Sequence, residues 1–249
     1  MSTAAKSFQP DAAEASLRRD LAAAYRLVSL FGWDDLVATH ISVRLPDHRG
    51  FLINPFGMLF DEITPKDLVK VDMDGNLLEP TEWMVNEAGF VIHSAIHQAR
   101  EDALCVMHLH THDGVAVSCL EEGLLPLNQT AMLVARDVAY HAYEGIAVNL
   151  EERARLAADL GDKSLMILRN HGTLAIGRSV ADAFQSMYQL ETACSIQVRA
   201  LGMGRPIHAP SADSIAQVSC RRPMIRQGAG LSWNALLRKL DRAAPGWDG

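Results

Sequence analysis

The chain has 249 residues, with 23 basic and 30 acidic side chains, a formal net charge of −7 and 49% apolar residues. That length holds one large domain or two small ones and buries a full core without covalent staples. The acidic balance argues against sequence-independent nucleic-acid binding, which needs a basic surface to displace phosphate counterions. The cysteines, Cys105, Cys119, Cys194 and Cys220, form no C-x-x-C pair. Neither a disulfide framework nor a four-sulfur zinc site is indicated, and a reducing cytoplasm is the expected compartment. No apolar run reaches the ~18 residues of a membrane span, and the segment MSTAAKSFQP lacks the basic-then-apolar pattern of a signal peptide.

Residues 1–13 are small and polar and read as a flexible tail, with order beginning near Glu14. Leu17, Leu21, Ala24, Leu27 and Leu30 recur at three- and four-residue steps, which predicts a helix stopped by Gly32. From Thr39 to Val71 the runs HISVRL, FLINP and LVKVD predict strands of an antiparallel sheet, and Asp74-Gly75 predicts a tight turn after the third. Asn86 caps a helix running to about Arg100. The continuous apolar run ALCVMHLH predicts a buried central strand ending among His108, His110 and His112. A helix around 150–160, a strand SLMIL ending at Arg169-Asn170-His171-Gly172 and a helix capped by Ser179 follow. The stripe of that last helix runs from Val180 through Phe184, Met187, Leu190, Cys194 and Val198 to Leu201, where Gly202 and Gly204 end it. Helices flanking strands predict one α/β domain over 14–204, and 205–249 reads as an extension with a short helix, WNALLRKLDR.

His108-x-His110 carries the strongest chemical signal. Side chains at i and i+2 of a strand share a face, so two imidazoles converge on one metal ion. His171 is a candidate third ligand because it also follows an apolar strand directly, and His112 competes if the strand continues. Three neutral imidazoles with an open fourth position describe a catalytic site. His93 and His97 lie one helical turn apart, which suits either a metal site or a core-packed helix face. His40 lines a pocket or caps a loop. Tyr140, His141 and Tyr143 are acid/base candidates or residues of an amphipathic strand.

The order of these motifs resembles the class II aldolase/adducin family over roughly residues 17–203. The resemblance rests on H-x-H after a buried strand, RNHG about sixty residues later, His40-Ile41-Ser42-Val43-Arg44 and Ile53-Asn54-Pro55-Phe56-Gly57. The stretches NEAGFVIHSAIHQAR, GLLPLNQ, YEGIAV and ILRNHG place it nearest the adducin-head-like bacterial branch. The resemblance implies a three-layer αβα fold with a central, mainly antiparallel sheet. It implies a homotetramer with active sites between subunits, and zinc held by His108, His110 and His171, which selects His171 over His112; manganese, iron or cobalt suit the same ligands. It also implies that Thr39, His40, Asn54 and Gly57 lie in substrate-contacting loops, with Thr39-His40 replacing a Gly-Asn pair.

The departures shape the expected function. Where the sugar-phosphate aldolases carry a Ser-Ser-Glu-like run that binds phosphate and supplies the acid/base, this chain has Glu87, Ala88 and Gly89. The carboxylate is missing at Gly89, and the charge of Glu87 repels a phosphate. The family's proton-donating tyrosine falls on Gln129, which does not titrate and is kept as a substrate contact. The expected function is therefore a metal-dependent lyase on a small, non-phosphorylated hydroxy- or oxo-acid, by decarboxylation or retro-aldol cleavage. Protonation falls to His40, His112, Tyr140 or an inward-shifted Glu87. The alternative is a non-catalytic scaffold like the adducin head. Arg44 and Arg169 are carboxylate clamps or ion-pair partners, and Trp233 is a packing anchor or a cover for a neighbouring subunit's site.

Overall fold

The computed structural model describes residues 12–147 and 149–249, so residues 1–11 of the expected tail lie outside the described residues. Helix α1 (Ala12–Leu30) begins two residues ahead of the expected start at Glu14. Its apolar stripe buries Leu21, Leu27 and Val28 completely. Gly32, at φ +66°, turns the chain out of the helix in a conformation that costs glycine little.

The strands form one sheet in the order β3-β2-β1-β4-β7-β6-β5. They are β1 (His40–Arg44), β2 (Gly50–Ile53), β3 (Val69–Asp72), β4 (Cys105–Leu109), β5 (Val138–His141), β6 (Leu165–Leu168) and β7 (Gly172–Gly177). Every pairing is antiparallel except β5 with β6. The turn expected at Asp74-Gly75 forms, with Gly75 at φ +93°. The Asp72 carboxylate accepts from the backbone N–H groups of Asp74 and Asn76, but the return is a single bridge, Val71 with Leu77.

Strand alternation sends side chains to two helical layers. Ile41, Val43, Cys105, Met107, Leu165, Ile167 and Ala175 face the larger core, shared with α1 and with α6 (Val180–Gly202). Val106, Met166, Leu168, Leu174 and Ile176 face Ile92 and Ile96 of α2 (Glu87–Ala99) and Leu156 and Leu160 of α5 (Glu152–Leu160). The fold is thus the expected αβα sandwich around a mainly antiparallel sheet. Short helices α3 (His112–Ser118) and α4 (Gln129–Val134) pack on α6.

Two features differ from expectation. The run Gly172–Gly177, which carries no polar alternation and follows SLMIL after only three residues, is the central strand β7, paired with both β4 and β6. The reversal is made by Asn170, a residue type that tolerates its left-handed φ of +57°. Residues 205–249 fold into three helices, α7 (Ala212–Ser219), α8 (Arg222–Gln227) and α9 (Ala229–Ala243). Trp233, Leu240 and Trp247 are buried in the main core, so this segment is part of the packed body. Trp233 packs against Phe184, and its indole N–H donates to Asp20, the anchor role expected of it.

Candidate metal centre

His108, His110 and His171 are brought together where β4 ends and the β6–β7 turn passes over it, and one nitrogen of each ring lies within 4.8 Å of the others. Ring centroids are 4.7 Å apart for His108 with His110, 4.7 Å for His108 with His171 and 4.8 Å for His110 with His171. Gly172 is required beside them: a Cβ there would stand 2.4 Å from the Leu109 carbonyl oxygen and 3.0 Å from the His110 ring.

Hydrogen bonds set the tautomers of two of these rings. The Thr173 carbonyl accepts from His108 Nδ1 at 3.0 Å, and the Asp35 carboxylate accepts from His110 Nδ1 at 3.0 Å. In the neutral form that metal binding requires, each ring therefore carries its hydrogen on Nδ1 and a bare lone pair on Nε2. Those two Nε2 atoms face one another at 2.9 Å. Two lone pairs at that distance repel, and a shared cation relieves the repulsion, so the donor set fits a divalent metal. Burial lowers the pKa of His108, and His171 is lowered to about 4 by burial and by the neighbouring His110, so both are neutral at pH 7, the form that could hold a metal.

Behind the triad, Glu191 of α6 accepts from the hydroxyls of Thr111, next to His110, and Thr173, two residues after His171. It braces both histidine-bearing segments. Burial raises its pKa to about 7 against the lowering effect of those hydroxyls.

The remaining expected site residues divide sharply. His40 opens β1 opposite His108, with ring centroids 5.1 Å apart, and is buried. His112 does not share the strand face: β4 stops at Leu109, Thr111 caps α3, and His112 is the exposed first residue of that helix. The Tyr140 hydroxyl accepts from the Leu124 N–H and its ring carries the Arg169 guanidinium, so it holds a loop. Tyr143, further along, puts its ring 6.4 Å from His171 and is exposed. Asn54 is locked against the Tyr25 hydroxyl at 2.9 Å. Thr39 is sealed, with its Oγ1 lacking a partner among the described residues. Gly57 is exposed in a loop at φ +107°, and Gln129 and Glu87 are exposed first residues of α4 and α2. No hydrogen bond or ring contact ties Glu87, Gln129 or Gly57 to the triad among the described residues. Arg44 and Arg169 donate to backbone carbonyls of Arg100 and of Leu120 and Glu121, so they act as braces.

Asp35, Thr173 and Glu191 were not anticipated, because a carboxylate after a helix stop, a backbone carbonyl and a glutamate on a core helix carry no local signal. Of the two readings of His93 and His97, the structure gives the core-packed helix face. Both are buried and face His40 and Ser42 across the α2–β1 contact. The signal for this was in the spacing, since an i, i+2 polar pair on a strand matches an i, i+4 pair on a helix. A cavity of about 830 Å³ lies at the other end of the strands, where Asp137, Ser164 and Arg178 flank β5, β6 and β7, far from the histidines.

Residues 19–198 match the family model of the class II aldolase and adducin N-terminal domain. The chain belongs to this family. A Caulobacter vibrioides protein, provisionally named an aldolase class 2 protein, is 54% identical over 242 residues, covering 94% of this chain and 93% of that one. Mouse alpha-adducin is 47% identical over 195 residues, which are 77% of this chain and 26% of that much longer one. Among solved structures, an aldolase II superfamily protein from Pseudomonas syringae superposes with a TM-score of 0.92 at 50% identity, covering 96% of this chain and 97% of that one. An L-fuculose 1-phosphate aldolase from Glaciozyma antarctica superposes with a TM-score of 0.81 at 28% identity, covering 96% of each chain.

Proposed function

We propose that this protein is a metal-dependent lyase that breaks a C–C bond of a small, non-phosphorylated hydroxy- or oxo-acid. The supporting observation is the pair of bare Nε2 lone pairs of His108 and His110 facing each other at 2.9 Å, with His171 beside them. These three residues would hold a divalent ion, zinc being the first candidate and manganese, iron and cobalt suiting the same imidazoles. A bound ion would supply Lewis-acid polarisation of the substrate's oxygen, which stabilises the electron pair left when the bond breaks.

The chain's own residues do the rest. Asp35 and the Thr173 carbonyl orient the ligand rings, which maintains their basicity. His40, whose ring centroid lies 5.1 Å from that of His108, is the side chain assigned to meet a substrate proton. The exposed Tyr143 beside His171 is placed to meet a leaving group. Glu87, standing where a phosphate-binding serine is expected, favours an uncharged substrate end on that side. In the assembly we propose, a homotetramer with sites shared between subunits, exposed His112, Glu87 and Gln129 would be offered to a neighbour. No described helix is long and apolar enough to cross a membrane. Free thiols at the exposed Cys119 and Cys220 suit a reducing cytoplasm.

Elemental analysis of protein purified without a metal-affinity tag tests this. About one divalent ion per chain is expected, lost in His171→Ala, with chelator abolishing release of CO2 or aldehyde from a panel of hydroxy- and oxo-acids. No metal, even after incubation with zinc or manganese, would overturn it in favour of a scaffold like the adducin head, to which alpha-adducin's 47% identity points.

A further inference from the structure

One continuous polar seam runs through the interface between α2 and the sheet. It begins at a fixed acceptor, the Ala103 carbonyl oxygen, which lies 2.8 Å from His97 Nδ1. A carbonyl only accepts, so the hydrogen of His97 is on Nδ1 and its Nε2 is an acceptor. Ser42 Oγ, 2.7 Å from that Nε2, must donate its single hydrogen there. Its oxygen then accepts from His93, whose Nδ1 is its other partner. With Nδ1 protonated, His93 Nε2 is an acceptor, and it faces His40 Nδ1 at 2.9 Å. His40 therefore carries its hydrogen on Nδ1. One anchor decides four side chains in turn, because each has a single hydrogen to give. All three imidazoles are held neutral by burial, so no second proton offers an alternative.

The last atom in the chain is His40 Nε2. Among the described residues it has no hydrogen-bond partner, and it is not one of the sealed, unpartnered polar atoms. The ring is held from both sides. It pairs across the sheet with His108, and Gly89 leaves it room, since a Cβ at Gly89 would stand 2.6 Å from His40 Cδ2 and 3.1 Å from Nε2. The imidazole thus fills the space into which a side chain at position 89 would project.

We propose that His97, Ser42 and His93 are positioning residues that lock His40 with a bare Nε2 lone pair beside the triad, making the site selective for a ligand that offers an O–H there. This rests on the proposed metal-dependent reading and narrows it: the ligand class is a hydroxy-acid or hydroxy-carbonyl compound, and an oxo-acid, which brings a second lone pair to the same place, is disfavoured. A chain ending on a backbone carbonyl does not exchange protons with bulk water, so its role is to set direction.

The test is made first on the metal-free protein. Long-range 1H–15N correlation spectra of histidine-labelled protein at pH 8, with His40→Asn used to assign the His40 signals, should show the Nδ1–H tautomer for His40, His93 and His97. Ser42→Ala should turn His40 into a tautomer mixture, and Ser42→Thr, which restores the hydroxyl, should return it to the Nδ1–H form. Unchanged methyl spectra in Ser42→Ala separate this from unfolding. An Nε2–H tautomer in the wild type, or a His40 signal indifferent to Ser42→Ala, would overturn the proposal. The second arm measures calorimetric binding of lactate and pyruvate to zinc-loaded protein. Lactate should bind about tenfold or more tightly than pyruvate, and Ser42→Ala should reduce that preference by at least half. Equal affinity, no binding of either acid, or a preference that survives Ser42→Ala would overturn the ligand selectivity. Were the triad to hold no zinc while the tautomers came out as expected, the lyase reading would fall and the locking chain would stand.

Discussion

Glu191 is the side chain whose placement is hardest to explain by packing alone. A buried carboxyl group, with two threonine hydroxyls and, among the described residues, no cation beside it, is held at a pKa of about 7 by burial. In the unfolded chain it ionises near 4.5, so between these values the unfolded state binds fewer protons and stability falls as pH rises. Replacing it by Gln removes the ionisation and keeps a hydrogen-bonding group of the same shape. Metal-free Glu191→Gln should be more stable than the wild type by about 1–3 kcal/mol at pH 8, with the difference fading by pH 5, as measured by urea unfolding at both values. An equal gain at both pH values would show that the carboxyl does not titrate in this range. That residue was invisible in the sequence, where it is one acid on a helix whose stripe of Phe184, Met187, Leu190 and Cys194 was plain. The pair His108-x-His110 was visible because a strand turns spacing directly into shared direction.

Helix α2 shows how an element serves both stability and the site. Asn86 Oδ1 accepts from the N–H groups of Ala88 and Gly89, the cap expected from the sequence. Asn86→Ala should cost about 1 kcal/mol in thermal or urea unfolding. Gly89, one turn in, is there for contact with His40 rather than for flexibility, since its φ is not positive. The nearest atoms to an added Cβ belong to a ring held by His93 and by strand β1, so they cannot swing away. Gly89→Ala should therefore destabilise the protein by about 1–3 kcal/mol, measured by thermal unfolding, and shift the His40 NMR signals. An alanine accommodated with neither effect would show that the ring moves freely. The cap and the apolar face were legible in the sequence. The reason for a glycine at the third helical position was not, because its partner is 49 residues earlier in the chain and on another element.

Across the molecule, the buried histidines make the fold sensitive to acid. His40 and His97 are lowered to about 3 by burial, whereas in the unfolded chain they titrate near 6.5. The stability they allow is complete above pH 6.5 and is lost as pH falls towards 3, because only the unfolded state takes up their protons in that window. At pH 5 each should cost about 2 kcal/mol, a large share of the ~5–15 kcal/mol of a typical domain. Glu191 works in the opposite sense over part of this range, so the loss on going from pH 7.5 to 5 in urea unfolding should be steeper in Glu191→Gln than in the wild type. The carboxy-terminal helices contribute on the same scale. Removing residues 229–249 takes Trp233, Leu240 and Trp247 out of the core, at about 1.5–3 kcal/mol for each buried side chain. The truncated chain should lose its cooperative thermal transition, followed by circular dichroism; a retained transition would show that the segment does not support the core.

The sequence alone settled those features that depend on short spacing: the amphipathic helices, the buried strand that carries His108, the cap at Asn86 and the family to which the chain belongs. Periodicity and motif order report local geometry, and local geometry is repeated wherever the motif occurs. The tertiary structure decided what lies between elements. It made β7 a central strand, buried the carboxy-terminal helices, drew Asp35 and the Thr173 carbonyl to the ligand rings, and lined up His97, Ser42, His93 and His40 in one chain. A hydrogen-bond partner across an αβ interface is fixed by packing and register, and neither can be read from the spacing of residues along a single chain.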